Sequence, residues 1–598
     1  MASASRLEWG SGSSRLLKKM IGGSFIPSFL LALTYNINGL ADSLLAGAFL
    51  TPAHIAAIGV VLPVQTLCTA LLSVIVLGTY GSYSETLARG QRRKSRELFT
   101  VGLIDIAVIG CLLAVVCAVF ARPIVTLFGA ATEELRELSM RYLRFTAMTY
   151  PFVAAAKLIT LILSVYGYQK DSFAASLTGL ACNVLFSVLI LLLVPGAGIG
   201  ALGIGTLAAT VPTLAVCYAA ARRHGLPIEL RVRAAAFRMR RVKSLLVVGG
   251  SMSLNSMLDA LAAGLVNRII VGSALGAEGL AFWAIVHCFW KLAEVGAEGM
   301  DYASGPMTGV CYACRDKGGL RMTLNDALGR GIVYSAVWVL ILYALMPLLL
   351  RLYLGNADTE TVRRGVLIAL AFIPVRTVVI LLSSFFSYTE HVGASMYLAI
   401  VPDSVVFPAL TALLVPPLGY TGLWLALGGS SVAALILTVP VFALIRRVRS
   451  GRLSLDRMLL LDTGRCAEYP AVDVSLVCDN GNISDLTEKI QTFLKGEEAA
   501  SRTSYLTALC VDELASDYAV HSSVRTSAPA EMDIKIISEE DSFRIIVCSV
   551  TDPYNPFDFV FSSEDFSKVG LMMVRRIAEK IDYEYLYKMN MITIRIAK

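Results

Sequence analysis

A chain of 598 residues that is 56% hydrophobic and only 16% charged, with a mean hydropathy of +0.67, is poor in charge; soluble proteins carry about 25%. That excludes a soluble enzyme, a disordered scaffold and a disulfide framework, and leaves a polytopic membrane protein. The net charge of +7 conceals two parts: Pro470–Lys598 holds 21 acidic and 13 basic residues, the first 469 residues 24 and 39. The basic excess sits in short loops between apolar runs, which is a topology signal rather than a nucleic-acid footprint, so no nucleic-acid partner is expected.

A membrane helix needs about 20 mostly apolar residues. The apolar runs predict twelve spans in the lipid bilayer, near 20–49, 55–80, 99–120, 145–168, 172–194, 199–221, 244–273, 279–310, 331–353, 364–388, 393–415 and 419–445. The polar, basic segment 1–19 precedes an apolar run too long for a signal-peptide core. Basic residues gather in alternate loops: Arg89, Arg92, Arg93, Lys94 and Arg96, then eight between Arg222 and Lys243, then Arg446, Arg447, Arg449 and Arg452. This pattern places both termini in the cytoplasm of a multi-pass plasma-membrane protein.

The second half echoes the first. LVPGAGIGAL at 193–202 matches LVPPLGYTGL at 414–423, Tyr168 faces Tyr388, and Asn183 faces Asp403. GAFLTPAHIAAIG at 47–59 likewise matches GSALGAEGLAFWA at 272–284. Matches kept in register predict a polytopic all-α membrane domain of two six-helix pseudo-symmetric bundles, at 20–243 and 244–446. A linker at 447–469 and a soluble α+β sandwich at 470–598 follow.

The helix of Asp42 ending in LLAGAFL, the AAIGVVLPV that opens the second span, the ARGQRR loop and the repeat together resemble the multidrug and toxin extrusion (MATE) family, over roughly residues 20–445. The resemblance implies a secondary exporter of small organic compounds, coupled to H+ or Na+, with a central cavity between the halves.

A carboxylate near the bilayer centre costs about 2.5–3.5 kcal/mol on insertion scales, which makes each one a candidate for function. Asp42 follows Asn38 by one turn, and Asn255 and Asp259 repeat that spacing in the seventh span. Glu294, Glu298 and Asp301 share one face of the eighth span, with Lys291 before them, and an electronegative face of this kind suits a cationic substrate. All of these residues equally suit interhelical hydrogen bonding or a wet rim. In the fifth span the resemblance implies Asn followed by Asp four residues on, whereas this chain has Asn183 and then Ser187; Asp403 is the counterpart in the other half. Arg376 beside Pro374 is either a counter-ion or a snorkelling side chain. Cys311 and Cys314 form a CxxC without a second pair.

In the tail, Val472–Cys478 alternates like a strand, Ile483–Lys495 and Arg502–His521 read as helices, and Met532–Val550 reads as a hairpin turning at Glu539–Asp541. Lys568–Ile581 reads as a helix and Met591–Ile596 as a closing strand, giving one sheet with helices on one face. VDELASDYAVH at 511–521, VTDPYNPFD at 550–558 and FSKVGLMMVRR at 566–576 resemble the histidine-kinase/gyrase-type ATPase family, nearest its anti-sigma-factor kinases, over about 120 residues. That resemblance implies ATP and Mg2+ as cofactors. Glu513 would be the conserved acid, Asp517 the magnesium ligand in place of asparagine, His521 the histidine, Asp552 the adenine-reading carboxylate and Gly570 the remaining glycine. Both glycines of the D-x-G-x-G loop are replaced, so a degenerate domain that regulates the exporter is expected rather than a catalyst, with a cytoplasmic protein as its candidate partner. Two other readings fit the same organisation: a membrane-embedded sensor that signals through its tail, and a lipid-linked saccharide flippase.

Overall fold

The computed structural model describes residues 8–9, 15–88, 92–130, 132–166, 168–224, 239–313, 317–354, 360–447, 471–477, 490–494, 501–525, 531–549, 551–558, 568–586 and 589–598. Long apolar stretches satisfy their backbone groups internally, as lipid demands. The helices of the first half are α1 (Arg15–Phe49), α2 (Pro52–Ala88), α3 (Arg92–Val119), α4 (Ala121–Leu127), α5 (Glu133–Ala147), α6 (Tyr150–Val165), α7 (Gln169–Leu193) and α8 (Gly200–Arg223). The second half comprises α9 (Met239–Gly272), α10 (Gly276–Ala313), α11 (Lys317–Leu354), α12 (Glu360–Ala371), α13 (Ile373–Tyr388), α14 (Val392–Ile400) and α15 (Phe407–Arg447).

Among the described residues, nine helical runs are long and apolar enough to cross a membrane, or up to eleven if each of two bent helix pairs is one crossing. The sequence predicts twelve. The difference arises at Val392–Thr438, where 47 residues form one helical path that the sequence divides into two spans. Within that path Gly419 departs from helical geometry at φ 54 and ψ −129.

The internal repeat is visible in the backbone. Gly198, between α7 and α8, has φ 52 and ψ −135, nearly the values of Gly419 in the matching decapeptide. Side chains disfavour this left-handed region, so glycine is required at both corners. The bent pairs correspond as well: α5 meets α6 at 46° and α12 meets α13 at 47°. The largest contacts between the halves are two related ones, α1 on α10 and α9 on α2, each pairing the first crossing of one half with the second crossing of the other.

Among the described residues, the tail supplies five strands of a six-stranded, wholly antiparallel sheet of spatial order β1-β2-β3-β4-β6-β5, and the segment before the first membrane helix supplies β1. The strands are β1 (Glu8–Trp9), β2 (Ala471–Val477), β3 (Glu531–Ser538), β4 (Ser542–Ser549), β5 (Lys580–Leu586) and β6 (Met589–Ala597). Alternation sends Met532, Ile534, Ile536, Phe543, Ile545, Val547, Ile592 and Ile594 to one face. There they pack under α16 (Ser501–Arg525) and α17 (Val569–Ile577). The helix expected to reach Ile581 ends earlier: Ala578 is extended at φ −72 and ψ 131, and the chain returns as β5. Most of the helix expected at Ile483–Lys495 lies outside the described residues, which include its 490–494 turn.

Candidate functional site

In the first half, α1, α5, α7 and α8 converge on one carboxylate. Asp42 Oδ2 accepts a 2.6 Å hydrogen bond from the Tyr142 hydroxyl, and Asp42 Oδ1 lies 3.5 Å from Asn183 Nδ2. Asn183 Oδ1 in turn accepts from Ser187 at 3.2 Å and from Thr206 at 3.1 Å. A side chain at Gly205 would collide with Ser187, so the glycine lets α8 approach α7 closely enough to bring Thr206 to the amide. Ser187 thus occupies the place where the family resemblance implies a carboxylate, and the cluster holds a single carboxylate among neutral hydroxyl and amide groups. Asn38 lies one turn before Asp42 on α1, and its side chain is outside the described part.

The second half is built on opposite charges. Arg376 on α13 is 7% exposed. Its Nε donates to Glu294 at 2.7 Å, and its two terminal nitrogens reach both oxygens of Asp403 at 3.0 and 2.6 Å. Lys291 reaches the other oxygen of Glu294 at 2.8 Å. A guanidinium matches a carboxylate in this forked geometry, and low dielectric strengthens each contact. Arg376 is therefore the counter-ion, not a snorkelling side chain. Asp403 lies on a turn of π-helix, Val401–Val406, that turns it toward Arg376. Asp259 accepts from Ser404 at 2.8 Å, while Asn255 Oδ1 is buried without a hydrogen-bond partner, so the pairing suggested by their spacing is not made.

The three acids of α10 separate in role. Glu294 joins Arg376, Glu298 accepts from Asn36 of α1 at 2.7 Å, and Asp301 accepts from Ser384 of α13. Glu298 thereby ties the two halves together. Tyr302, 39% exposed, lies near Glu298 and Asp301. Tyr142, Thr206, Asn36, Ser384 and Ser404 escaped the sequence reading, because no local spacing links them to their acids.

In the tail, Glu513, Asp517 and His521 share α16, and Gly570 lies against the Glu513 carboxylate. Tyr554 stands where the ATPase resemblance implies the first loop glycine. Its ring stacks on His521 at 3.6 Å and its hydroxyl donates to Asp517 at 2.7 Å. Lys568 bonds Asp517 and, at 2.8 Å, the Tyr554 hydroxyl. Although partial burial disfavours its charge, these partners hold the Lys568 ammonium above its ordinary pKa. Partial burial, with Asp512 and Asp517 nearby, raises the Glu513 carboxyl. Asp552 is exposed, and its carbonyl is held by Asn590 at 3.1 Å. A magnesium–nucleotide does not fit this arrangement, because an ammonium already neutralises Asp517 and a tyrosine ring covers His521.

The MatE family model matches residues 27–189 and 255–408, more than half of the chain and one block in each half. The chain belongs to the MatE family. No curated protein compared with this MatE chain matches it. Among solved structures it is similar to a multidrug resistance MATE family transporter of the MOP superfamily in the inward-facing conformation, at 19% identity and TM-score 0.59, over 71% of this chain and 96% of that one. An outward-facing structure of such a transporter gives 19% identity and TM-score 0.58, over 70% and 94%. A MOP superfamily transporter from Pyrococcus furiosus gives 20% and 0.59, over 70% and 94%. These likenesses establish the fold over about 70% of the chain.

Proposed function

We propose that this MatE-family protein is a cation-coupled secondary exporter of small organic cations in the cell membrane. It works by alternating access, with H+ or Na+ as the coupling ion. The observation that carries the reading is the Asp42 cluster, in which one carboxylate is shared by donors from α5 and α7. A cation arriving at Asp42 competes with the Tyr142 and Asn183 donors, so its binding and release change how α5 and α7 are held. That couples ion occupancy to helix position. Glu298 and Asp301, with the Tyr302 ring near them, supply the carboxylates and the aromatic group that organic cations prefer. A structural neighbour described as a multidrug resistance transporter supports this direction.

The tail is read as a degenerate ATPase-fold domain that regulates rather than powers transport. The pairing of β1, near the N-terminus, with β2 of the tail supports both termini lying on one side, taken as the cytoplasmic side. Purified protein in liposomes tests the whole reading. Wild type should accumulate a fluorescent organic cation against its gradient when a cation gradient is imposed, and Asp42→Asn should not. Wild-type accumulation in the mutant would remove Asp42 from the mechanism, and absence of counterflow with every cargo tried would favour a sensor. Protease added to sealed right-side-out vesicles should spare the tail.

A further inference from the structure

We propose that the second face of the tail sheet is a clamp that holds the tail-side entrance between the two halves shut. The proposal rests on the alternating-access reading and adds a gate and what bolts it.

The entrance lies where α1 begins and α10 ends. Leu17 and Ile21 of α1, 7% and 0% exposed, are buried with Met307, Cys311 and Tyr312 of α10 and Leu320, Met322 and Leu324 of α11. A first-half helix is thus sealed into second-half helices at this end. Arg330 of α11 adds a 3.3 Å hydrogen bond to the Lys18 carbonyl on α1. Opening this side requires that seal to part.

The sheet sits across the seam. Its outward-pointing Ile537, Ile546 and Met591, only 3%, 3% and 8% exposed, cluster with Val310 of α10 and Met20 of α1. One apolar surface therefore touches both halves at the point where they must separate. The β1–β2 pair ties the segment leading into α1 to the same sheet. Burying three large side chains here stabilises the shut state relative to any state that exposes them. A partner that peels the sheet away would shift the population toward opening.

Native Cys311, 3% exposed inside the seal, is the reporter. In the full-length protein, Ile537→Asp/Ile546→Asp puts charge into the clamp and leaves the inward-facing Ile534, Ile536, Ile545 and Val547 intact. Labelling of Cys311 by a polar maleimide, read by peptide mass spectrometry, should accelerate by about tenfold or more, in proportion to the open population. If the charged variant loses the fold of its sheet, Ile537→Ala/Ile546→Ala should still accelerate labelling, by a smaller factor. Unchanged Cys311 labelling in a variant whose sheet amides remain protected from hydrogen exchange would overturn the clamp. The readout needs no cargo, so it stands or falls separately from transport activity.

Discussion

Asn183 and Asp403 occupy matching places in the two halves, yet Asn183 offers an amide to Asp42 while Asp403 grips the guanidinium of Arg376 with both oxygens. One half thus leaves a carboxylate among neutral donors, and the other half pairs its carboxylate with a cation that the chain itself supplies.

The first consequence concerns Tyr142. Its hydroxyl is the shortest contact that Asp42 makes, at 2.6 Å. A hydrogen bond to a charged group is worth about 1.5–3 kcal/mol. Tyr142→Phe should therefore shift the half-maximal concentration of the coupling cation roughly tenfold or more, while Asp42→Asn abolishes coupled efflux. Titrating efflux against imposed sodium and proton gradients separates the two effects. An unshifted curve in Tyr142→Phe would exclude this contact from coupling.

Arg376 behaves differently. Removing one member of a buried ion pair strands the other, at a cost of about 3–5 kcal/mol. Arg376→Met should thus lower the melting temperature sharply in detergent by stranding the buried Glu294, and Arg376→Met/Glu294→Leu should recover much of the loss. Equal melting of the single and double variants would show that the pair does not carry the stability assigned to it.

The matched corners provide a symmetric test. Gly198→Ala and Gly419→Ala each place a Cβ at positive φ, a strain of about 1–3 kcal/mol. Both should melt earlier than wild type by similar amounts. A penalty at one corner alone would break their equivalence.

Nucleotide should not bind at the tail. Calorimetry of the full chain with magnesium-ATP is expected to show no binding heat, and efflux driven by an ion gradient should continue after ATP is depleted. Tight binding, with turnover lost in Glu513→Ala, would reverse this conclusion.

Glu513 gives the tail a pH signature. Its folded-state pKa is raised, so the folded tail favours the protonated acid. The ionised acid is therefore a cost at neutral pH, relieved as the pH falls through the folded-state value. Glu513→Gln should increase hydrogen-exchange protection of β3 and β4 at about pH 7 and make little difference near pH 4, the ordinary carboxylate range. An equal effect at both values would assign the change to packing instead.

Much of this molecule is written locally. Lipid leaves the backbone few choices, so apolar run lengths determine the helices. The Gly198 and Gly419 decapeptides carry the repeat, and alternation in Met532–Ser549 carries the hairpin. The acids on α10 were equally plain, because charge is rare at that depth. The partners of the membrane-depth acids were not. Tyr142 reaches Asp42 across 100 positions, Arg376 reaches Glu294 across 82, and Asn36 reaches Glu298 across 262. A side chain on a helix has several neighbours that satisfy it equally well by spacing alone. Only the packing of whole helices decides which one it meets, and that packing also put the second face of the tail sheet over Met20 and Val310.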